Sequence, residues 1–315
     1  MRGENKANVL VCKKLLMNFS RIETDVLENE ILVNKGLKLS VLRLDKLHAI
    51  VCGNKIFKLH FFLEQAQQQK ANHLITFGGA YSNHLVATAY ACKEKSIPCI
   101  GIVRGEQAPV LSHTLQHCIE YGMQLRFISR EEFDQKESSE FLSALQTEFE
   151  NAVIVPEGGY HPSGAKGASL INEYISPSAT HIACACGTAT TIAGLLLGKE
   201  SHQQVIGIPV LKGMSDIHER LEYLTNKKFS SKDLRIEYDY HFGGYAKKNE
   251  ALIQFMNTFF DQYKIPTDFV YTSKMMFAVF ELEKNNYFPN GSEIVCIHTG
   301  GLQGNASLTE NALTF

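Results

Sequence analysis

The sequence predicts an α/β protein of two lobes, each a mostly parallel sheet covered by helices. Three observations carry this expectation. Strand-like and helix-like patterns alternate from Leu37 onward. Several strand segments, "HIACAC" among them, are nearly continuous apolar runs, as strands covered on both faces are. The length, 315 residues, is also long for one compact core.

The elements follow in order. "LKLSVLRLD" alternates apolar residues with period two and predicts a strand. "IFKLHFFLEQAQQQK" gathers its apolar residues on one helical face. "HLITFGG" predicts a strand ending in paired glycines, and "SNHLVATAYACKEK" a helix opened by a Ser/Asn cap. "PCIGIVRG" is strand-like, and "LSHTLQHCIEYG" is helix-like, closed by Gly122. "QLRFI" and "AVIVPEGG" predict strands either side of the helix "SEFLSALQTEFE", while "EFDQKESSEF" predicts a solvated loop leading into that helix. "SGAKGASLINEYI" predicts a helix, "HIACAC" a strand, "TTIAGLLLGK" a helix and "QVIGIPV" a strand. Helices over about 215–226, 249–263 and 273–286 precede the late strand "SEIVCIH". No repeat, low-complexity tract or Pro-rich linker divides the chain. The expected arrangement is therefore an insertion, with residues 59–165 forming a smaller α/β lobe inside a larger one built from 1–58 and 166–315.

Composition excludes several classes. Hydrophobic residues make up 44% and charged residues 20%, as in ordinary globular proteins. The formal charge is -2 with no Lys/Arg block, which gives no electrostatic case for nucleic acid or an anionic membrane. "NVLVCKKLLMNF" is apolar but broken by Lys13 and Lys14, too short to span a bilayer, and followed by no small-residue cleavage site. A cytoplasmic protein is expected. The eight cysteines are scattered without a CxxC, and Cys52, Cys92, Cys184, Cys186 and Cys296 lie in apolar runs, so buried free thiols are expected rather than disulfides. No metal is expected, since "CAC" lacks zinc-site spacing. His113 and His117, four apart on a helix, show no acidic third ligand and predict a solvated face.

Ligands of open α/β sheets bind beyond the carboxyl ends of the strands. Here those ends read "TFGGAYSNH", "VPEGGYHPSG", "CACGTATT" and "CIHTGGLQG", three of them with paired glycines that permit close backbone approach. In "CGTATTIAGLLLG" the turn Gly187, Thr188, Ala189, Thr190, Thr191 opens an apolar helix, whose first N–H groups and Thr hydroxyls suit a phosphate. The same residues also suit a Thr-capped helix with no ligand. Lys55, between Asn54 and an apolar run, is either a nucleophilic amine or a snorkelling surface lysine. Ser82, Asn83 and His84 open a helix in a way that suits a carboxylate, although a cap needs only one of them. A phosphate cradle, a candidate imine-forming lysine and a carboxylate site together match the needs of an amino-acid enzyme using pyridoxal 5'-phosphate.

"GNKIFKL", "FGGAYSNH", "PEGGYHPSGAKG", "CGTATTIAG" and "IHTGG" occur in this order. Over roughly 37–304 the chain resembles the tryptophan-synthase-β-like, fold type II pyridoxal-phosphate enzymes. The branch it resembles holds 1-aminocyclopropane-1-carboxylate (ACC) deaminase and D-cysteine desulfhydrase. The resemblance implies that Lys55 carries the cofactor covalently and that Lys58 helps neutralise its phosphate, with 187–191 around that phosphate. It implies that Asn83 bonds the cofactor's ring oxygen, that Ser82 and the adjacent backbone of Asn83 and His84 hold the substrate carboxylate, with Ser82 also implicated in the chemistry, and that Tyr271 is catalytic; the His84 ring either contacts substrate or only packs. Thr299 is one candidate for the pyridine nitrogen. It further implies a small amino-acid substrate, a 2-oxo acid and ammonia as products, and a homodimer. One departure matters: the deaminases have a second tyrosine two residues before the His of "HxGG", where this chain has Cys296. Elimination from a D-cysteine-like substrate is therefore expected over ring opening. The alternatives are a true ACC deaminase and a non-catalytic descendant that binds an amino acid or the cofactor. A small kinase lacks support, because the Walker lysine and a metal-carboxylate pair are both missing.

Overall fold

The computed structural model describes residues 22–48, 51 and 53–315. Cys52 and "NVLVCKKLLMNF" lie outside the described residues. The strands, in chain order, are β1 Thr24–Leu27, β2 Lys38–Arg43, β3 His73–Gly78, β4 Cys99–Arg104, β5 Gln124–Ile128, β6 Ala152–Val155, β7 His181–Cys186, β8 Gln204–Pro209, β9 Leu234–Ile236 and β10 Glu293–His298. They form two sheets. One has the order β1-β2-β10-β7-β8-β9 and is parallel except for β1, which runs antiparallel to β2. The other, β5-β4-β3-β6, is parallel throughout. The chain thus leaves the first sheet after β2, builds the second from β3 to β6, and returns at β7.

The Lys55–Gln69 helix makes the departure and belongs to the packing of both sheets. Its Ile56, Leu59, Phe62 and Leu63 share one buried cluster with Leu42 of β2, Leu85 and Val86 of the Asn83–Lys95 helix, and Ile192 and Leu195 of the Thr190–Gly198 helix. The Pro162–Ser169 helix crosses it at backbone distance, because a Cβ on Gly167 would lie 2.1 Å from the Phe57 carbonyl. A second cluster, Val41, Ala183, Ile206, Met275, Val279 and Cys296 among it, fills the opposite face of the first sheet under the Thr272–Lys284 helix. Burial on both faces explains the unbroken apolar strands.

The structure departs from the sequence reading in a few places. "EFDQKESSEF" is not simply a loop: a short helix, Arg130–Asp134, precedes the Ser139–Glu148 helix. Each is capped by a serine, Ser129 accepting from Glu132 N–H and Ser138 from Phe141 N–H. The helix predicted over 163–175 tightens to a 3-10 turn after Ser169, where Asn172 Nδ2 bonds the Ser169 and Gly194 carbonyls. Strand β1 and the Glu30–Asn34 helix precede the region where a pattern was legible, and β9 has only three residues. Among the described residues, no helix is long and apolar enough to cross a membrane.

Candidate active site

Lys55 is the first residue of its helix, placed there by Gly53. Gly53 has φ 87°, and a Cβ there would come within 1.9 Å of the Thr299 carbonyl. Only glycine lets the turn pass beneath the end of β10, and Asn54 N–H then donates to that carbonyl at 3.3 Å. Asn54 ties the site together. Its Oδ1 accepts from Lys55 Nζ at 2.6 Å, and its Nδ2 donates to Thr191 Oγ1 at 2.6 Å. The amine and the Thr-rich turn are thus linked through one amide.

Lys58, one turn on, is 5% exposed and donates to the Gly158 carbonyl at 3.2 Å. Among the described residues no carboxylate lies within 4 Å of it. Burial first, and then the neighbouring charge of Lys55, push its pKa down to about 7. The Thr-rich turn lies beside the same glycines, since a Cβ on Gly158 would meet Thr188 Cγ2 at 3.0 Å. Thr188 and Thr190 hydroxyls are 2.9 Å apart, and Ala189 takes a left-handed φ of 64° before the Thr190–Gly198 helix begins. Among the described residues, no side chain caps that helix.

Ser82 caps the Asn83–Lys95 helix by accepting from Leu85 N–H at 3.3 Å, which leaves its own proton to donate. Asn83 Oδ1 is buried without a partner. His84 is 3% exposed, and its Nε2 lies 2.9 Å from Thr76 Oγ1, which itself donates to the Val155 carbonyl. Nε2 therefore carries the proton, and Nδ1 is a buried acceptor without a partner. Burial, then Lys58 and Lys55, hold its pKa down to about 3, so the ring is neutral. A carboxylate at this helix start would find a donor in the His84 backbone N–H, not in its ring.

Tyr271 closes the site opposite Lys55, whose Nζ is 5.8 Å from the ring centroid. Gly187 makes room for it, because a Cβ there would sit 3.3 Å from the Tyr271 ring. Burial, followed by the neighbouring Tyr245, raises the Tyr271 pKa well above the ordinary phenol value. Three residues of this part of the site were not read from the sequence. Asp268, 0% exposed, accepts from Val270, Tyr271 and Thr272 N–H and from the Thr272 hydroxyl at 2.7–2.9 Å, which fixes the turn that aims Tyr271. Tyr245 meets Tyr271 edge-on with ring centroids 6.0 Å apart. Lys274 is buried on the same helix. The run "TDFVYTS" offered a signal for Asp268, an acidic cap ahead of a helix, whereas the other two offered none. A cavity of about 360 Å³ opens between Phe77, Glu157, Tyr160 and Tyr223.

Other expected features fall as follows. Cys184 and Cys186 are buried, and burial pushes both thiols up to about 12, so they are uncharged. His117 does have an acidic neighbour, Glu120 at 2.9 Å, one turn along its own helix. His113 instead packs against Tyr81. Among the described residues, no group of three or more His, Cys, Asp or Glu could hold a metal. His298 donates from Nε2 to the Pro266 carbonyl.

Two features fit a phosphate-bearing cofactor: a buried lysine with no carboxylate within 4 Å among the described residues, and a helix start beside two Thr hydroxyls with no side-chain cap among them. A sequence model for the family described as "Pyridoxal-phosphate dependent enzyme" matches residues 27–300. The chain belongs to this family. As a pyridoxal-phosphate-dependent enzyme it has several named relatives. A Pyrococcus abyssi protein provisionally named a 1-aminocyclopropane-1-carboxylate deaminase is 28% identical over 287 residues, covering 85% of this chain and 86% of that one. The mitochondrial bifunctional D-cysteine desulfhydrase/1-aminocyclopropane-1-carboxylate deaminase of Arabidopsis thaliana is 27% identical, covering 85% of this chain and 73% of that one. A solved structure described as an ACC deaminase homologue superposes with TM-score 0.78 at 25% identity, covering 97% of both chains.

Proposed function

We propose that this enzyme is a lyase that converts a small amino acid to a 2-oxo acid and ammonia, with β-elimination from a D-cysteine-like substrate favoured over ring opening of ACC. The observation that carries the reading is the face-to-face placement of Lys55 and a Tyr271 whose proton is held in place. Pyridoxal phosphate, when bound, supplies an electron sink for the pair left at Cα. Lys58 and the Gly187–Thr191 turn would hold its phosphate, Asn83 its ring oxygen, and Lys55 its reactive carbon. Thr299 stays the candidate for its pyridine nitrogen.

The roles of the protein groups follow from their environments. Ser82 and the N–H groups of Asn83 and His84 would orient the substrate carboxylate. Lys55, freed by substrate, would take the Cα proton as base. Burial keeps Tyr271 protonated, so its hydroxyl would hydrogen-bond the departing sulfur rather than act as the base. Cys296 supports elimination over ring opening, since its thiol lies in the core under the Thr272–Lys284 helix rather than offering a phenol. One observation favours the second reading: another tyrosine, Tyr245, does reach Tyr271 from a different part of the chain.

We extend the same reading to organisation. The two sheets support an inserted small lobe over 59–165, within a larger cofactor-binding lobe of 1–58 and 166–315. Free buried thiols support the cytoplasm, and a homodimer follows from the family resemblance. The test is a 2-oxo-acid assay on cofactor-loaded protein, comparing D-cysteine with ACC and following sulfide in parallel. Pyruvate and sulfide from D-cysteine alone are expected. 2-Oxobutyrate from ACC would overturn the preference, and no product from either would favour the non-catalytic alternative.

A further inference from the structure

The segment 238–248 follows β9 and brings Tyr245 to Tyr271. It turns sharply at Gly243 and Gly244, which have φ 95° and 121°. Two anchors hold it to the Thr272–Lys284 helix. Phe277 packs against Tyr240 and Phe242, with centroids 6.3 and 5.0 Å away. Lys274, 0% exposed, donates to the His241 and Gly244 carbonyls, both at 2.8 Å. An ammonium is expensive to bury, and an apolar side chain of the same length would fill this space without that cost. What the ammonium alone supplies is the tie to the residue directly before Tyr245.

Tyr245 is 55% exposed, yet its ring meets Tyr271 and the two phenols act on one another's protons. Tyr245 is thus exposed on one side and in ring contact with Tyr271 on the other, which makes it a lip on the solvent side of the site. On the lyase reading, a substrate held between Lys55 and Tyr271 would have its β-substituent next to the Tyr271–Tyr245 pair. A short β-substituent leaves the tyrosine pair in place, whereas a bulky one must displace Tyr245. We propose that Tyr245 is a specificity-determining residue that excludes bulky β-substituents, and that Lys274 is the positioning residue that holds it at the lip. This inference rests on the lyase reading above.

The test compares wild type, Tyr245→Ala, Lys274→Met and the double variant, all cofactor-loaded. One readout is the ratio of kcat/KM for S-benzyl-D-cysteine to that for D-cysteine. The other is the rate of tryptic cleavage after the exposed Lys247 and Lys248. Each single variant should raise the ratio about tenfold or more, which is about 1.4 kcal/mol of discrimination. The double variant should do no more than the larger single effect. Lys274→Met should speed cleavage, and Tyr245→Ala should not. An unchanged ratio in Tyr245→Ala, additive effects in the double variant, or unaltered cleavage in Lys274→Met would overturn the proposal. Should Lys274→Met not fold, Gly244→Ala disturbs the same turn, where a Cβ would press to 3.3 Å from Lys212, and the same ratio change is expected. A wild type inactive on every substrate would overturn the lyase reading and the specificity role together, while the cleavage comparison would still decide whether Lys274 anchors the segment.

Discussion

Lys58 is a buried lysine with no carboxylate within 4 Å among the described residues, and its removal should strengthen the empty protein while weakening its hold on the cofactor. Burial and the Lys55 charge lower its pKa from 10.5 to about 7. At about 1.4 kcal/mol per pH unit this is roughly 5 kcal/mol against the charged form, an upper bound because local relaxation recovers part of it. The folded-state pKa lies below the unfolded value, so between about pH 7 and pH 10 the unfolded chain binds more protons and this residue makes stability rise with pH. Below pH 7 the full cost is present. Lys58→Met should therefore be more stable than wild type by roughly 2–5 kcal/mol at pH 6, with the gap closing toward pH 10. Urea unfolding of the cofactor-free proteins at pH 6, 8 and 10 measures it; groups not coupled to Lys58 cancel in the comparison, while Lys55 and His84, which feel its charge, shift with it. Cofactor affinity should fall about tenfold or more, the worth of one charge-assisted bond to phosphate. A gap independent of pH, or undiminished cofactor affinity, would refute the reasoning.

Three further substitutions test neighbouring parts of the site. Tyr271→Phe keeps the ring facing Lys55 and removes only the hydroxyl that would hydrogen-bond the leaving group, so steady-state kinetics should show kcat lower by about tenfold to 100-fold with KM little changed. An unchanged kcat would take the hydroxyl out of the chemistry. Asp268→Ala leaves three backbone N–H groups and one hydroxyl without their acceptor, and denaturant unfolding should show a loss of roughly 3 kcal/mol or more. A loss under about 1 kcal/mol would mean that the turn holds itself. Ala189→Gly relieves a left-handed residue next to the proposed phosphate site and should raise stability by up to about 1 kcal/mol with cofactor affinity retained. A clear loss would argue that Ala189 does not hold that conformation.

The strands and long helices were legible because their signals are local. "HIACAC" is buried on both faces, and "SNHLVATAYACKEK" declares its serine cap. The motif residues were legible because they lie at strand ends, where topology gathers ligands. What the sequence hid is tertiary. Asn54 looked like a turn former, yet it links Lys55 to Thr191 across 137 residues of chain. The tautomer of His84 depends on Thr76 and Val155, from two other strands. Tyr245 and Lys274 have no periodic or motif signal, because their meaning lies in a bent segment held by a buried ammonium. The absent tyrosine at Cys296 was readable, but the second tyrosine that the fold delivers from elsewhere was not.

On the proposed function the cofactor is carried by Lys55 rather than by Lys58, the other lysine of the helix's first turn. The direct measurement is borohydride reduction of the yellow, cofactor-loaded protein, followed by proteolysis and mass spectrometry of the 47–70 region. The account predicts loss of the visible band and a phosphopyridoxyl group on Lys55. A label on Lys58, or a visible band that borohydride does not remove, would contradict it.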